Sequence, residues 1–135
     1  MATSSYSLAS AVEVARLVAA LDEAPDKLHS DVTPSVRRLI EIGEPTLDAV
    51  LDQMLSESEP TRLRAQRVLE GVTMGPFGFV PGKGWPDPKD EERFRAFWRS
   101  LGDLDWKADR RRREEAVALW RRWLAQRDGG GSDHG

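Results

Sequence analysis

The chain has 135 residues, a formal net charge of −3 at pH 7 and no cysteine. This length predicts one domain with a real hydrophobic core, and the lack of cysteine excludes disulfides, a thiolate nucleophile and a thiolate metal site. No apolar run approaches the ~18 residues of a membrane span, and residues 1–21 lack the basic start of a signal peptide, so we expect a cytoplasmic protein outside the membrane.

A first amphipathic helix is predicted near the N-terminus, and Pro25 lies just past its expected end. Its apolar residues recur with near-helical spacing, which is typical of a helix that buries one face. We expect the buried stripe to comprise Leu8, Val12, Ala15, Leu17, Val18 and Leu21.

Three further helices are predicted before residue 75, and each begins with a proline. The second begins at Thr33-Pro34, where threonine is a good N-cap and the missing N–H of proline is harmless, and it ends at Gly43. Glu44-Pro45 begins the third, and Ser58-Glu59-Pro60 begins the fourth, which Gly71 is expected to close. The expected buried positions are Val36, Leu39, Ile40, Leu47, Val50, Leu51, Met54, Leu55, Leu63, Ala65, Val68 and Leu69.

Residues 75–88 hold four glycines and four prolines, a composition that argues against a helix. The segment is too apolar for a free linker, because it contains Phe77, Phe79, Val80 and Trp85. We therefore predict an ordered Ω-like loop over the core. Within it Gly82-Lys83-Gly84 resembles a phosphate-binding loop, but no serine or threonine follows the lysine and no strand precedes it. We predict neither nucleotide binding nor any other cofactor.

Two helices are predicted after this loop. The fifth spans about Lys89 to Leu101, ends at Gly102 and places Phe94, Phe97, Trp98 and Leu101 on one face. Asp105 or Asp109 is expected to cap the sixth, which runs to about Arg127. Its expected buried arc comprises Ala116, Val117, Leu119, Trp120, Trp123 and Leu124.

No segment alternates between apolar and polar residues for long enough to predict a strand. The predicted fold is therefore all-α, a compact bundle of about six helices with one long Gly/Pro-rich loop at residues 75–88. Residues 1–127 are expected to form a single domain, and residues 128–135 a disordered tail.

The middle of the chain resembles the HEAT and armadillo class of helical repeats. Residues 36–43 (VRRLIEIG) are an apolar helix that ends in glycine, and a short turn with Pro45 follows them. Residues 62–71 (RLRAQRVLEG) are an Arg/Ala/Leu helix after an acidic turn, and the return from Gly43 to Gly71 spans 28 residues. Near the C-terminus, LGD at residues 101–103, REEAV at 113–117 and WRRW at 120–123 are similar to segments that end some bacterial HEAT-repeat proteins of unknown function.

The resemblance covers residues 33–127 and implies antiparallel helix pairs in a scaffold that binds proteins or, in some cases, nucleic acid. It implies no shared active site. Only about one and a half units are regular before the loop, so we expect a compact bundle with HEAT-like pairs instead of a long solenoid.

All five tryptophans lie between residues 85 and 123. Helical spacing predicts that Trp98, Trp120 and Trp123 close the core, with Trp120 and Trp123 stacked on Trp98 or Phe94. Trp85 and Trp106 lie in predicted loops, and each is either buried or partly exposed as a contact for a partner.

The run Arg110–Arg113 has two interpretations. It is either an anion or nucleic-acid contact with interleaved tryptophans, or a solvated face with ion pairs from Arg110 to Glu114 and from Arg111 to Glu115. The overall acidity of the chain favours the ion pairs. On the helical wheel, Arg112 and Arg113 point toward the apolar arc.

No catalytic or metal-binding group is predicted, because the two histidines, His29 and His134, have no partners at ligand or triad spacing. We therefore predict a non-enzymatic module that binds another protein, through an exposed face of its helix pairs or through the apolar loop. The candidate contact residues are Phe79, Trp85, Trp106, Arg112 and Arg113. The alternative is a nucleic-acid-associated module that uses the Arg110–Arg113 face. The sequence indicates neither the identity of the partner nor the oligomeric state.

Overall fold

The computed structural model describes the backbone of residues 8–133 and the side chains of residues 10–127. Six α-helices and no β-strand are found in this part of the chain, which confirms the predicted all-α fold. Short 3₁₀-helices at Glu44–Thr46 and Gly75–Phe77 precede the third helix and follow the fourth. In chain order the helices are α1 (Leu8–Ala19), α2 (Pro34–Ile42), α3 (Leu47–Gln53), α4 (Glu59–Met74), α5 (Pro88–Ser100) and α6 (Arg110–Asp133).

The chain divides into two compact units, Met1–Thr73 and Met74–Gly135. The boundary falls next to residue 75, where the sequence predicts the start of the Gly/Pro-rich loop. The single domain that we predict for residues 1–127 thus contains two compact units, and each is described by itself.

In the first unit, Thr33 joins the end of α1 to the start of α2. Its hydroxyl accepts a hydrogen bond from the backbone N–H of Val36 at 3.1 Å and donates one to the carbonyl oxygen of Leu21 at 2.8 Å. Thr33 is buried, and Pro34 occupies the first turn of α2. The predicted cap and proline start are confirmed, and one hydroxyl satisfies two backbone groups.

We expect Thr33→Val to lower the free energy of unfolding by about 1–3 kcal/mol, because valine has the same shape but leaves both backbone groups without this partner. Thr33→Ser keeps the hydroxyl and should cost less than about 1 kcal/mol. Urea denaturation followed by circular dichroism measures both changes. Equal stability of the two variants would show that the hydroxyl contributes nothing.

The sequence predicts five buried residues for the third helix, and four of them are buried, whereas the fifth, Leu55, is half-buried. Leu47, Val50, Leu51 and Met54 have no exposed surface. The 3₁₀ turn that contains Pro45 begins this helix, as expected from the proline. These four side chains belong to the core of the first unit.

The buried stripe predicted for α1 is wrong at two positions. Val12 is 50% exposed and Ala15 is also exposed, whereas Val14 is only 3% exposed. Val14 precedes the buried Leu21 by seven residues, about two helical turns, and so shares its face, whereas Val12 lies nine residues away on the opposite side. One side of α1 therefore carries apolar side chains that the core does not cover.

The sequence predicts that Gly71 ends the fourth helix, and this is wrong, because α4 continues to Met74. The role of Gly71 is close packing. A Cβ atom at this position would lie 2.5 Å from Cδ1 of Ile40 and 2.8 Å from its Cγ1. Glycine here makes room for a side chain of α2, and Pro76 is the first residue after α4 that lacks a backbone N–H.

In the second unit, both helices begin at aspartate caps. The carboxylate of Asp87 accepts from the backbone N–H of Lys89 at 2.9 Å, and Pro88 begins α5. Asp109 caps α6 by accepting from the N–H of Arg112 at 2.9 Å. Asp105, the other predicted cap, instead accepts from the N–H of Lys107 in the preceding turn.

The backbone of α6 extends through Asp133, past the predicted end near Arg127. The prediction of a disordered tail from residue 128 rested on the poor helix propensity of its glycines. The end of the predicted tail, His134 and Gly135, lies outside the described residues.

Candidate functional site

The five predicted contact residues all belong to the second unit. They fall in two places. Phe79 and Trp85 lie in residues 75–88, which we call the aromatic loop. Trp106, Arg112 and Arg113 lie in the segment that connects α5 to α6 and in the first turns of α6.

The tip of the aromatic loop is closed by backbone hydrogen bonds. The N–H of Val80 donates to the carbonyl oxygen of Gly84 at 2.9 Å, and the N–H of Gly84 donates back to that of Val80 at 2.8 Å. Gly82 and Gly84 have φ angles of +82° and +84°, which other residues rarely adopt. The loop begins with one 3₁₀ turn, Gly75–Phe77, where the sequence argues against any helix.

Aromatic rings hold the base of this loop against α5. The ring centroids of Phe79 and Trp85 are 5.4 Å apart in an edge-to-face arrangement, and Trp85 lies 5.7 Å from the buried Phe94. Phe77 packs against Phe94 and Phe97 at 5.7 and 5.3 Å. Phe79 and Trp85 are both half-buried, so each ring combines a packed side with an accessible one.

The residues of the tip are accessible to a partner. Val80 is 37% exposed, and Pro81 and Lys83 are exposed beside it. Sequence reasoning did not select Val80 as a contact residue. The signal was present in the spacing of Gly82 and Gly84, which favours a tight turn that carries Val80 away from the core.

A shallow cleft of about 400 Å³ lies between the segment 101–109 and the first turns of α6. Its floor includes Leu104, Ala116 and Leu119. Its charged residues are of both signs: Asp103, Asp105, Lys107, Arg112 and Glu115. Such a mixed lining suits polar contacts with a protein better than a phosphate backbone, which needs an excess of positive charge.

Trp106 is half-buried near this cleft, and the ammonium of Lys107 lies over its ring at 5.0 Å from the centroid. This contact fixes the position of a positive charge beside an aromatic side chain. The two predicted loop tryptophans, Trp85 and Trp106, are thus neither fully buried nor fully exposed.

The four consecutive arginines have different surroundings. Arg110 pairs with Glu114 at 2.9 Å and Arg111 with Glu115 at 3.5 Å, as the i,i+4 spacing predicts. Arg113 is 7% exposed, and its Nε donates to the carbonyl oxygen of Ala108 at 2.9 Å.

Arg112 lies at the cleft with an exposed side chain. Within the described part of the chain, its guanidinium contacts no carboxylate or carbonyl group. Arg111 is accessible as well, because 89% of its side chain is exposed.

The other three tryptophans form the aromatic core that the sequence predicts. Trp98 and Trp120 are buried, Trp123 is half-buried, and the centroids of Trp98 and Trp120 lie 5.1 Å apart, edge to face. Trp123 contacts Trp120 at 5.8 Å, and the cation of Arg127 lies 4.9 Å from its centroid. The indole N–H of Trp98 donates to the carbonyl oxygen of Leu104 at 2.9 Å, which anchors the segment after α5.

The described residues contain no group of three or more His, Cys, Asp or Glu side chains that could hold a metal ion. His29 lies in an exposed turn 3.8 Å from Asp26, and His134 is outside the described residues. None of the helices in the described range is long and apolar enough to cross a membrane.

Comparison with known proteins identifies no relative. No protein-family model, no curated protein and no solved structure matches this chain.

Proposed function

We propose that this chain is a non-enzymatic module that binds another protein, and that the aromatic loop is its main contact surface. One observation carries this proposal: the loop is closed at its tip by two backbone hydrogen bonds, and it combines the exposed Val80 with the half-buried Phe79 and Trp85. The absence of cysteine favours a cytoplasmic location.

Rigidity is what makes this loop suitable for binding. A loop that is already held in one conformation loses little conformational entropy when a partner binds. Aromatic side chains that are partly packed also lose few rotamers, and they are common anchors in protein interfaces. Val80 at the tip and the accessible sides of Phe79 and Trp85 would supply the apolar contact.

Trp106 and Arg112 would extend the interface with a polar contact. The ammonium of Lys107 lies over the ring of Trp106, and the side chain of Arg112 is exposed at the cleft. We assign no contact with a partner to Arg113, because it is buried and donates to the carbonyl oxygen of Ala108.

We further propose that residues 34–74 are a HEAT-like scaffold. The support is the succession of α2, α3 and α4, each with a proline in or just before its first turn, and the close approach of Gly71 to Ile40. α3 has only seven residues, which fits a short series of about one and a half regular units.

The nucleic-acid alternative has weaker support. Two of the four arginines pair with glutamates and a third is buried, so the run would neutralise few phosphates. We expect no salt-dependent shift of DNA or RNA in a gel titration, even at low ionic strength. A shift that weakens steeply with added salt would favour the nucleic-acid function.

Two matched glutamate substitutions test the proposed protein contact. Val80→Glu places a charge at the tip of the loop, and Ala96→Glu places the same charge on an exposed position of α5. We expect quantitative affinity purification from the native cell to recover a partner with the wild type and with Ala96→Glu. Recovery with Val80→Glu should fall by about tenfold or more. Equal recovery with both variants would rule out the aromatic loop as the contact surface.

A further inference from the structure

The cleft between the segment 101–109 and α6 has one wall that the backbone holds in place. The indole N–H of Trp98 donates to the carbonyl oxygen of Leu104 at 2.9 Å, and the N–H of Asp103 donates to the carbonyl oxygen of Trp98 at 3.1 Å. Asp103 has a φ angle of +52°, in the left-handed region that few residues other than glycine adopt. These contacts fix the backbone of Asp103, which lines the cleft.

The first turns of α6 form the opposite wall, and they are fixed as well. Asp109 accepts from the backbone N–H of Arg112 at 2.9 Å, and Nε of the buried Arg113 donates to the carbonyl oxygen of Ala108 at 2.9 Å. Ala108 and Arg112 both line the cleft. A cleft whose walls are already positioned loses little conformational entropy when a ligand binds.

Most of the charges in this cleft are balanced by their neighbours. Glu115 pairs with Arg111 at 3.5 Å, and the carboxylate of Asp105 accepts from the backbone N–H of Lys107 at 2.9 Å. The ammonium of Lys107 lies over the ring of Trp106. Asp105 and Lys107 contribute one charge of each sign, so together with the Arg111–Glu115 pair they add no net charge to the cleft.

Two opposite charges of the cleft remain without a partner. Within the described residues, neither the carboxylate of Asp103 nor the guanidinium of Arg112 takes part in a hydrogen bond or an ion pair. Both residues are exposed, and both line the cleft. Because they do not pair with each other, the cleft offers one negative and one positive group to a ligand at the same time.

We propose that this cleft binds an α-amino acid with an aliphatic side chain. The carboxylate of the ligand would bind Arg112, and its ammonium would bind Asp103. The aliphatic side chain would contact the apolar floor of Leu104, Ala116 and Leu119. The volume of about 400 Å³ lies within the range of small-molecule sites. A ligand with only one charge fits less well, because it leaves Asp103 or Arg112 without a partner in the complex.

This site does not depend on the proposed contact through the aromatic loop. Arg112 belongs to both proposals, but the amino acid is a separate ligand whose binding needs no other protein. Val80→Glu should therefore leave amino-acid binding unchanged. Failure of either proposal leaves the other standing.

Nuclear magnetic resonance titration of the full chain with L-leucine tests this proposal. We expect saturable shifts of the backbone amides that line the cleft, with a dissociation constant of about 1 mM or below. N-acetylleucine lacks the ammonium and leucinamide lacks the carboxylate, so each should bind about tenfold more weakly. An absence of saturable shifts up to about 20 mM leucine, or equal affinity for the three ligands, would overturn the proposal.

Two substitutions assign the two charges of the ligand. Asp103→Asn keeps a residue that tolerates a positive φ angle, and it should weaken leucine about tenfold but leave N-acetylleucine unchanged. Arg112→Gln should weaken leucine by a similar factor but leave leucinamide unchanged. Arg122→Gln is the matched control, because Arg122 is exposed on α6 and does not line the cleft. An equal loss of leucine binding in all three variants would also overturn the proposal.

Discussion

Replacement of Gly102 by alanine is expected to lower the free energy of unfolding of the second unit by about 2–4 kcal/mol. Gly102 has a φ angle of +94°, which strains any residue with a Cβ atom. The added Cβ would lie 2.8 Å from the Cα of Ala116 and 2.9 Å from its Cβ. A backbone atom of a buried helix cannot move aside as the end of a side chain can, so the strain and the steric clash add.

Two other glycines separate these contributions. Gly82 has a φ angle of +82° but nothing within 4 Å of an added Cβ, so Gly82→Ala should cost only the backbone strain, about 1 kcal/mol. Gly75 has open space and no positive φ, so Gly75→Ala should be close to neutral. All five tryptophans lie in the second unit, so their fluorescence during urea denaturation reports its unfolding. Equal losses for Gly82→Ala and Gly102→Ala would refute the close contact.

Trp120→Ala should have the largest effect of any single substitution in the aromatic core, a loss of about 3–5 kcal/mol. Trp120 has no exposed surface, and its ring contacts those of Phe97, Trp98 and Trp123 with centroids 6.0, 5.1 and 5.8 Å away. Its removal leaves a cavity that these rings cannot fill without leaving their edge-to-face arrangement. The near-ultraviolet circular dichroism of the folded variant should weaken with the loss of stability.

Phenylalanine substitutions distinguish ring packing from hydrogen bonding in the same cluster. Trp98 donates to the carbonyl oxygen of Leu104, whereas the buried indole N–H of Trp120 has no hydrogen-bond acceptor within the described residues. Trp98→Phe should therefore cost about 1 kcal/mol more than Trp120→Phe. A larger loss in the free energy of unfolding for Trp120→Phe than for Trp98→Phe would contradict this expectation, because it would mean that the hydrogen bond of Trp98 contributes less than the extra ring area of Trp120.

Local rules were sufficient to predict where the helices begin. Thr33 and Asp109 cap helices in the structure, and each was identifiable as a polar residue directly before a helical pattern. Asp87, which caps α5, was not predicted as a cap. The ion pairs Arg110–Glu114 and Arg111–Glu115 also follow from the i,i+4 spacing. These features depend on residues within one or two turns of each other, which a single sequence displays.

Features that depend on distant residues could not be predicted in this way. A glycine at position 71 is typical of a helix end, but in the structure Gly71 lies inside α4 and leaves room for the side chain of Ile40. The face that α1 buries depends on α2 and α3, so the sequence alone could not predict that Val14 is buried and Val12 exposed. The helical wheel places both Arg112 and Arg113 toward the apolar arc, yet in the structure Arg113 is buried and Arg112 is exposed.

The aromatic loop also combines features that the sequence predicts with features that depend on the folded structure. The sequence identified Phe79 and Trp85 because aromatic residues in a Gly/Pro-rich segment are unusual. It did not identify Val80, because the exposure of that residue depends on the hydrogen bonds between Val80 and Gly84 that close the tip of the loop.

Site-specific photo-crosslinking in the native cell is the most direct test of the proposed function. A photoreactive amino acid at position 80 would report any protein that touches the tip of the aromatic loop, and the same amino acid at position 96 on α5 is the control. We predict a specific crosslinked protein from position 80 that position 96 does not capture. A specific crosslink from position 96 together with none from position 80 would contradict a partner-binding role for the aromatic loop.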